Sequence, residues 1–207
     1  MLENVRPMDI ERRSFEIITE LLGDRQPAPE IAPVVKRVIH TTADFDYAEN
    51  LVFSPGAVER GMEALRAGCD IVTDTQMAKA GVNKTILARL GGEVHCFISD
   101  PDVAGEARDR GVTRAAVSME RAAALGKRCV FAIGNAPTAL LALAELMERG
   151  QLDPALVIGV PVGFVNVVES KERILASAAP HIVARGRKGG SNVAAAICNA
   201  LLYQIER

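Results

Sequence analysis

His40 is the residue in this sequence best suited to moving a proton. It stands in RVIHTTADFDY, directly before Thr41 and Thr42 and just ahead of the carboxylates Asp44 and Asp46. Imidazole is the one side chain that changes charge near neutral pH when unperturbed, and nearby carboxylates favour its protonated form. Such a group suits general acid catalysis, which typically contributes about 10²–10⁴-fold. The same position, at the end of an apolar helical pattern, equally suits a histidine that only complements a helix dipole. His95, inside an apolar run, and His181, just before one, read as structural.

A second set of residues suits anions. RGRKGGSN combines Arg185, Arg187 and Lys188 with Gly189 and Gly190 and opens a helical pattern at Ser191. Paired glycines let backbone amides approach a ligand, and a helix start favours negative charge. A plain turn with solvated charges has the same composition. Asn135, Ala136 and Pro137 open another helical run, with proline near its first position. Neither loop is a nucleotide signature: GxxxxGK[ST] is missing, and no GxGxxG follows the first strand. In VVESKERIL, Glu169, Lys171 and Glu172 read as a solvated helix face with pairing to Arg173 or its neighbours. Ser14, mid-helix between Arg13 and Phe15, carries no signal of its own.

These residues need elements to hold them. Ile10, Phe15, Ile17, Ile18, Leu21 and Leu22 recur near helical period, with Pro7 ahead of them and Gly23 behind. After the break QPAPE, the residues Ile31, Val34, Val35, Val38 and Ile39 predict a second helix ending near His40. TTADFDYAEN is too polar to continue it and reads as a loop. From Ser54 onward, helical patterns alternate with short Val- and Ile-rich runs: CDIVT, EVHCFIS, RCVFAIG, ALVIGVP and HIVARG. That alternation predicts a doubly wound α/β domain, its mostly parallel sheet covered on both faces and preceded by an N-terminal helical lead-in. Ligands of such sheets bind outside the carboxyl ends of the strands. Thr75, Ser99, Asn135, Phe164, Lys188 and Ser191 all follow a predicted strand there.

Bulk composition narrows the partners. The chain has 207 residues, within reach of a single domain spanning 1–207, and 49% hydrophobic with 24% charged residues fits a globular protein. A net charge of -2, no Trp and two Tyr argue against nucleic-acid binding. Four cysteines without CxxC or short Cys/His spacing read as reduced thiols, with neither a disulfide framework nor a metal site. MLENVRPMDIERRSFE has no secretory apolar core, and no apolar run approaches membrane-spanning length. The expectation is a soluble, cytoplasmic protein.

The runs PMDIERRSFEII, RVIHTTADFDY, TDTQMAKAG, IGNAPTAL, VIGVPVGFVNVVESKE and GRKGGSNVAAAICNAL together resemble the precorrin-8X (or cobalt-precorrin-8) methylmutase family of corrin, vitamin B12, biosynthesis. The resemblance extends from Pro7 to Leu201 with the motifs in the family's order. It implies a cofactor-free isomerisation that moves a methyl group from C11 to C12 of the macrocycle, giving hydrogenobyrinate or, with cobalt, cobyrinate. It further implies that His40 donates a proton to the macrocycle and takes it back, and that Ser14, Arg37 and Arg114 contact substrate. Thr75, Asn135, Lys188 and Ser191 complete the expected binding set. The family also implies a homodimer whose site is built partly by the partner subunit.

The chemistry of the residues agrees with this resemblance. A macrocycle bearing many acetate and propionate groups needs a wide crevice ringed by cations, which Arg37, Arg114, Arg185, Arg187 and Lys188 can supply. Val162, Phe164 and Met77 can meet its apolar faces. Two other classes use the same features: a tetrapyrrole carrier with no catalysis, and a phosphate- or nucleotide-handling α/β enzyme resting on the two Gly-rich loops alone.

Overall fold

A chain that alternates helical stripes with short β-branched runs buries both by stacking helices on the two faces of one sheet. The computed structural model describes residues 5–206; residue 207 and residues 1–4, the latter part of the amino-terminal segment read above as non-secretory, lie outside it. A 3-10 turn (Pro7–Asp9) leads into α1 (Ile10–Leu22), which ends at Gly23 with φ of 52°. α2 (Ala32–Thr42) carries proline in its first turn and stops where Ala43 adopts the left-handed conformation. It runs two residues past His40, so the histidine sits in the last helical turn. The acidic stretch read as a loop contains a short helix, α3 (Tyr47–Asn50), because Tyr47 buries its ring in the core.

The sheet has six strands: β1 (Leu51–Phe53), β2 (Asp70–Thr73), β3 (Val94–His95), β4 (Cys129–Ile133), β5 (Leu156–Gly159) and β6 (His181–Ala184). Their order is β1-β6-β5-β4-β2-β3. β2 to β6 run parallel, while β1 lies antiparallel on the edge of β6, with Val52 opposite Val183. The expected parallel sheet is there, and β1 is an addition to it. Three residues are too few to show a period, and Pro55 follows after only Ser54. β3 is shorter than EVHCFIS suggested, since only two of its residues pair with β2.

Alternation along the strands divides the core. Ile71, Val130, Leu156, Ile158 and Ile182 face one layer of helices, made of α1, α2, α4 (Ala57–Arg66), α5 (Gln76–Gly81), α6 (Lys84–Arg89) and α11 (Ser191–Ile205). Val72, Phe131, Ile133, Val157 and Val183 face the other, made of α8 (Arg114–Ala123), α9 (Pro137–Glu148) and α10 (Val167–Leu175). α7 (Pro101–Arg110) packs outside α8 through Val103 and Ala107 against Val117. α11 is the central helix of the first layer, buried along nearly all its length by alanines and aliphatic residues. No helix among the described residues is long and apolar enough to cross a membrane.

The chain leaves β2 outward to β3 and returns on the other side of β2 to β4, so the order reverses between β2 and β4. In such sheets the crevice opens at that reversal, outside the carboxyl ends of the strands. There the backbone packs tightly. A Cβ on Gly134, just after β4, would stand 2.6 Å from Ser191 Cα and 2.8 Å from the Gly190 carbonyl oxygen. Gly134→Ala therefore forces the α11 entry loop away from the sheet. The expected cost is about 1–3 kcal/mol, read as a fall in Tm of roughly 2–10 °C by calorimetry.

Candidate functional site

A carboxylate at the strand-order reversal knits the crevice floor together. Asp74 follows β2 and is 1% exposed. It accepts backbone N–H groups from Gly134 (2.9 Å), Asn135 (2.8 Å) and Ala136 (2.6 Å), all in the turn after β4. Burial pushes its carboxyl above the ordinary aspartate value, and the three amide donors pull the other way. Next to it, Thr75 caps α5 by accepting from Ala78 N–H, and its hydroxyl meets the Ser191 hydroxyl at 2.8 Å. Gly190 donates to the Val160 carbonyl at 2.9 Å. The loops after β2, β4, β5 and β6 thus form one surface, with Thr75 and Ser191 paired within it.

His40 lies beside that surface, in an open cleft of about 280 Å³ lined by Arg37, Thr41, Gly81, Asn192, Asn199 and Tyr203. The last turn of α2 brings Arg37 and His40 to one side, three residues apart. The His40 ring stacks on Phe15 of α1, centroids 5.3 Å apart and planes 17° from parallel. The Arg37 guanidinium is held over the same Phe15 ring at 4.7 Å and over Tyr203 at 5.0 Å, and it pairs with Glu11. Phe15 therefore orients the imidazole and the guanidinium together, through stacking and cation–π attraction. Along α11, Asn192, Asn199 and Tyr203 interrupt an otherwise apolar helix at intervals of seven and four residues, which puts them on one face. Asn199 also donates to the Gly81 carbonyl and accepts from Asn83 N–H, both at 2.8 Å, fixing the end of α5 against α11.

The loop that begins at Ala43 returns to this region. Asp44 and Asp46 both accept from the Lys188 amine, at 2.7 Å and 2.6 Å. Those two carboxylates hold the lysine well above its usual range, and the hydrogen bond from Lys188 in turn lowers Asp44. The acidic residues after His40 are therefore turned to the RGRKGGSN loop. Ser14 is half-buried and donates back to the Ile10 carbonyl at 2.9 Å, one residue from the Phe15 ring that supports His40. Asn135 has an exposed side chain, but its N–H is already committed to Asp74. Arg114, exposed at the start of α8, donates to the Ile98 carbonyl at 3.5 Å beyond β3. His40 and Arg37 thus share a cleft, Thr75 and Ser191 form a pair next to it, and Lys188 bridges to the His40 loop. Asn135 and Arg114 stand further along the carboxyl edge.

Sequence reasoning missed Phe15, Tyr203 and Asn199, gave Asp74 and Asn192 no role beyond their place after a strand, and read Lys171 as solvent-facing. The polar spacing along α11 was available as a signal, and so was an aspartate directly after a strand. Lys171 reverses an expectation. It is 0% exposed, and its amine donates to the Gly186 and Lys188 carbonyls at 2.8 Å each, so the helix face read as solvated turns this residue inward. A larger cavity, about 730 Å³, lies elsewhere, against β1 and the start of α4, and holds none of the residues singled out for chemistry.

Residues 9–204 match the family model for precorrin-8X methylmutase (CbiC). The cobalt-precorrin-8 methylmutase of Salmonella typhimurium strain LT2 is 48% identical over 97% of this chain and 96% of its own length. That of Priestia megaterium is 47% identical over 95% of this chain and 88% of its own. The solved structure of precorrin-8X methylmutase from Thermus thermophilus superposes with a TM-score of 0.88 at 40% identity, covering 95% of this chain and 97% of the other.

Asp74→Asn tests the floor. An amide cannot offer three N–H donors the same acceptor pair, and its own NH₂ meets them head-on. The expected loss is about 2–4 kcal/mol, measured by urea unfolding; stability within 0.5 kcal/mol of wild type would show the three bonds contribute little.

Proposed function

Since the chain belongs to the precorrin-8X methylmutase family, we propose that it is an isomerase of corrin biosynthesis acting, as one domain, on precorrin-8X or its cobalt complex. It moves the methyl group from C11 to C12 and releases hydrogenobyrinate or cobyrinate. The observation that carries this reading is His40, exposed in the last turn of α2 and sharing one cleft with Arg37.

Each group has a task. His40 gives a proton to the macrocycle, which draws electron density toward ring C and lets the neighbouring methyl shift with its bonding pair. Return of the proton to His40 leaves the product's ring system with the same net charge as the substrate's. Substrate and product contain the same atoms, so the migration calls for no oxidant, reductant or methyl donor. Stacking on Phe15 fixes the plane of the imidazole while its nitrogens remain at the ring edge. Arg37, sandwiched by Phe15 and Tyr203, exchanges Glu11 for a substrate carboxylate. Ser14, Thr75, Asn135, Lys188, Ser191 and Arg114 hold further acetate and propionate groups around the crevice.

A second protomer completes the enclosure. The His40 cleft, at about 280 Å³, is smaller than the ~300–1,000 Å³ usual for small ligands, and a corrin is large among these. Met77 in the first turn of α5, and Phe164 and Val165 on the loop after β5, stand 70%, 83% and 79% exposed, available to the macrocycle or to the partner chain. A water-soluble polycarboxylate substrate fits a cytoplasmic enzyme.

Purified protein incubated with precorrin-8X, and separately with cobalt-precorrin-8, is expected to turn over at least one, followed by the visible spectrum of the corrin product. His40→Ala should bind with an affinity within a few-fold of wild type and lose about 10²–10⁴ in kcat. Binding without turnover by the wild type would mark a carrier instead. Arg37→Ala should raise KM at least tenfold with kcat little changed, since a charge pair with a carboxylate acts in ground and transition states alike. A lower kcat at constant KM would give Arg37 a part in the proton transfer.

A further inference from the structure

Burying a primary amine costs free energy that an apolar side chain of the same length would avoid. Lys171 is nevertheless fully enclosed beneath the loop that follows β6. Packing alone does not account for it, since methionine would fill the same space. What distinguishes lysine here is its pair of acceptors: the Gly186 and Lys188 carbonyls, both at 2.8 Å. Burial pushes the amine down to about 8, and even when neutral it keeps two N–H donors for two carbonyls.

Those bonds decide how the loop faces. In a trans peptide the C=O and the following N–H point in opposite directions. With the Gly186 and Lys188 carbonyls turned in to the amine, the N–H groups of Arg187 and Gly189 turn away from it. The Arg187 carbonyl between them accepts from Gly163 N–H at 3.2 Å, which ties the loop to the one after β5. Gly189 then passes so close to the sheet that a Cβ there would stand 2.1 Å from the Val160 carbonyl oxygen. The Lys188 side chain leaves this anchored segment for Asp44 and Asp46, and Ser191 follows it against Thr75.

We propose that Lys171 is a positioning residue for substrate binding, a buried amine that holds the 185–190 loop from beneath and so aims Lys188 and Ser191 at the carboxylates of the macrocycle. This rests on the reading of Lys188 and Ser191 as substrate contacts. Lys171 touches no reacting atom, so its loss acts on KM and leaves the proton transfer at His40 intact.

The test compares Lys171→Met, Lys171→Arg and Lys188→Ala with the double variant Lys171→Met/Lys188→Ala. Lys171→Met is expected to raise KM for the turned-over substrate about tenfold while kcat stays within about threefold. In the Lys188→Ala background the same change should add only about threefold, the part that acts through Ser191, because residues acting through one another are not additive. Lys171→Arg reaches both carbonyls from a longer arm and lifts the loop, raising KM about threefold; it decides the matter if Lys171→Met fails to fold. A lower Tm with KM unchanged in Lys171→Met, or an undiminished effect in the double variant, overturns the proposal and leaves a purely structural lysine. Hydrogen exchange of the 185–191 peptide in Lys171→Met reads loop anchoring without any substrate. Faster exchange there beside an inactive wild type would count against the methylmutase reading and not against the anchoring. Exchange unchanged from wild type would overturn the anchoring.

Discussion

The carboxylate of Asp74 occupies the place where a ligand anion would otherwise be expected in a sheet of this order. At the reversal between β2 and β4 the chain leaves an opening lined by backbone N–H groups, and three of them, from Gly134, Asn135 and Ala136, close on Asp74. A buried carboxylate must be met by donors, and buried amides must find acceptors. Each requirement answers the other. The turn after β4 is thereby held in place, Gly134 can lie against Ser191, and the entry to α11 is set relative to the sheet. The orientation of the α11 face that carries Asn192, Asn199 and Tyr203 follows from that placement.

A second buried charge works on the neighbouring loop with the opposite sign. Lys171 serves carbonyls where Asp74 serves amides, and between them they take up backbone groups of two loops that have no sheet or helix partner. Polar side chains in the interior are costly unless fully paired, which makes them intolerant of any other loop path. The carboxyl edge is consequently rigid at its base. Its exposed rim is formed by long cations and by apolar residues such as Phe164 and Val165. A rigid base with a mobile-length rim suits a macrocycle whose carboxylates radiate in many directions.

His40 depends on a different kind of support. Its ring is held by packing, with Phe15 stacked against it and Arg37 over that same Phe15 ring, and α1 brings Phe15 there. The acidic residues that follow it in sequence turn instead to Lys188. Left-handed Ala43 ends α2 and redirects the chain, so adjacency along the chain does not become adjacency to the imidazole.

Alternating helical and β-branched patterns were sufficient to determine the doubly wound sheet and the amino-terminal helices, because burial repeats with the period of each element. The family motifs likewise marked His40, Arg37 and Ser14 without reference to any contact. Tertiary structure alone decided the partners. β1 is three residues long and gains its place only by pairing with β6, which lies some 130 positions later. Lys171, on α10, reads as solvent-facing by composition, since lysine is almost never fully buried unless paired, and its two carbonyl partners lie 15 and 17 residues away in the loop after β6. Asp74 meets its amides 60 to 62 residues further on. Periodicity records whether a residue is inside or outside on average; which distant group satisfies a buried charge is settled only when the chain closes on itself.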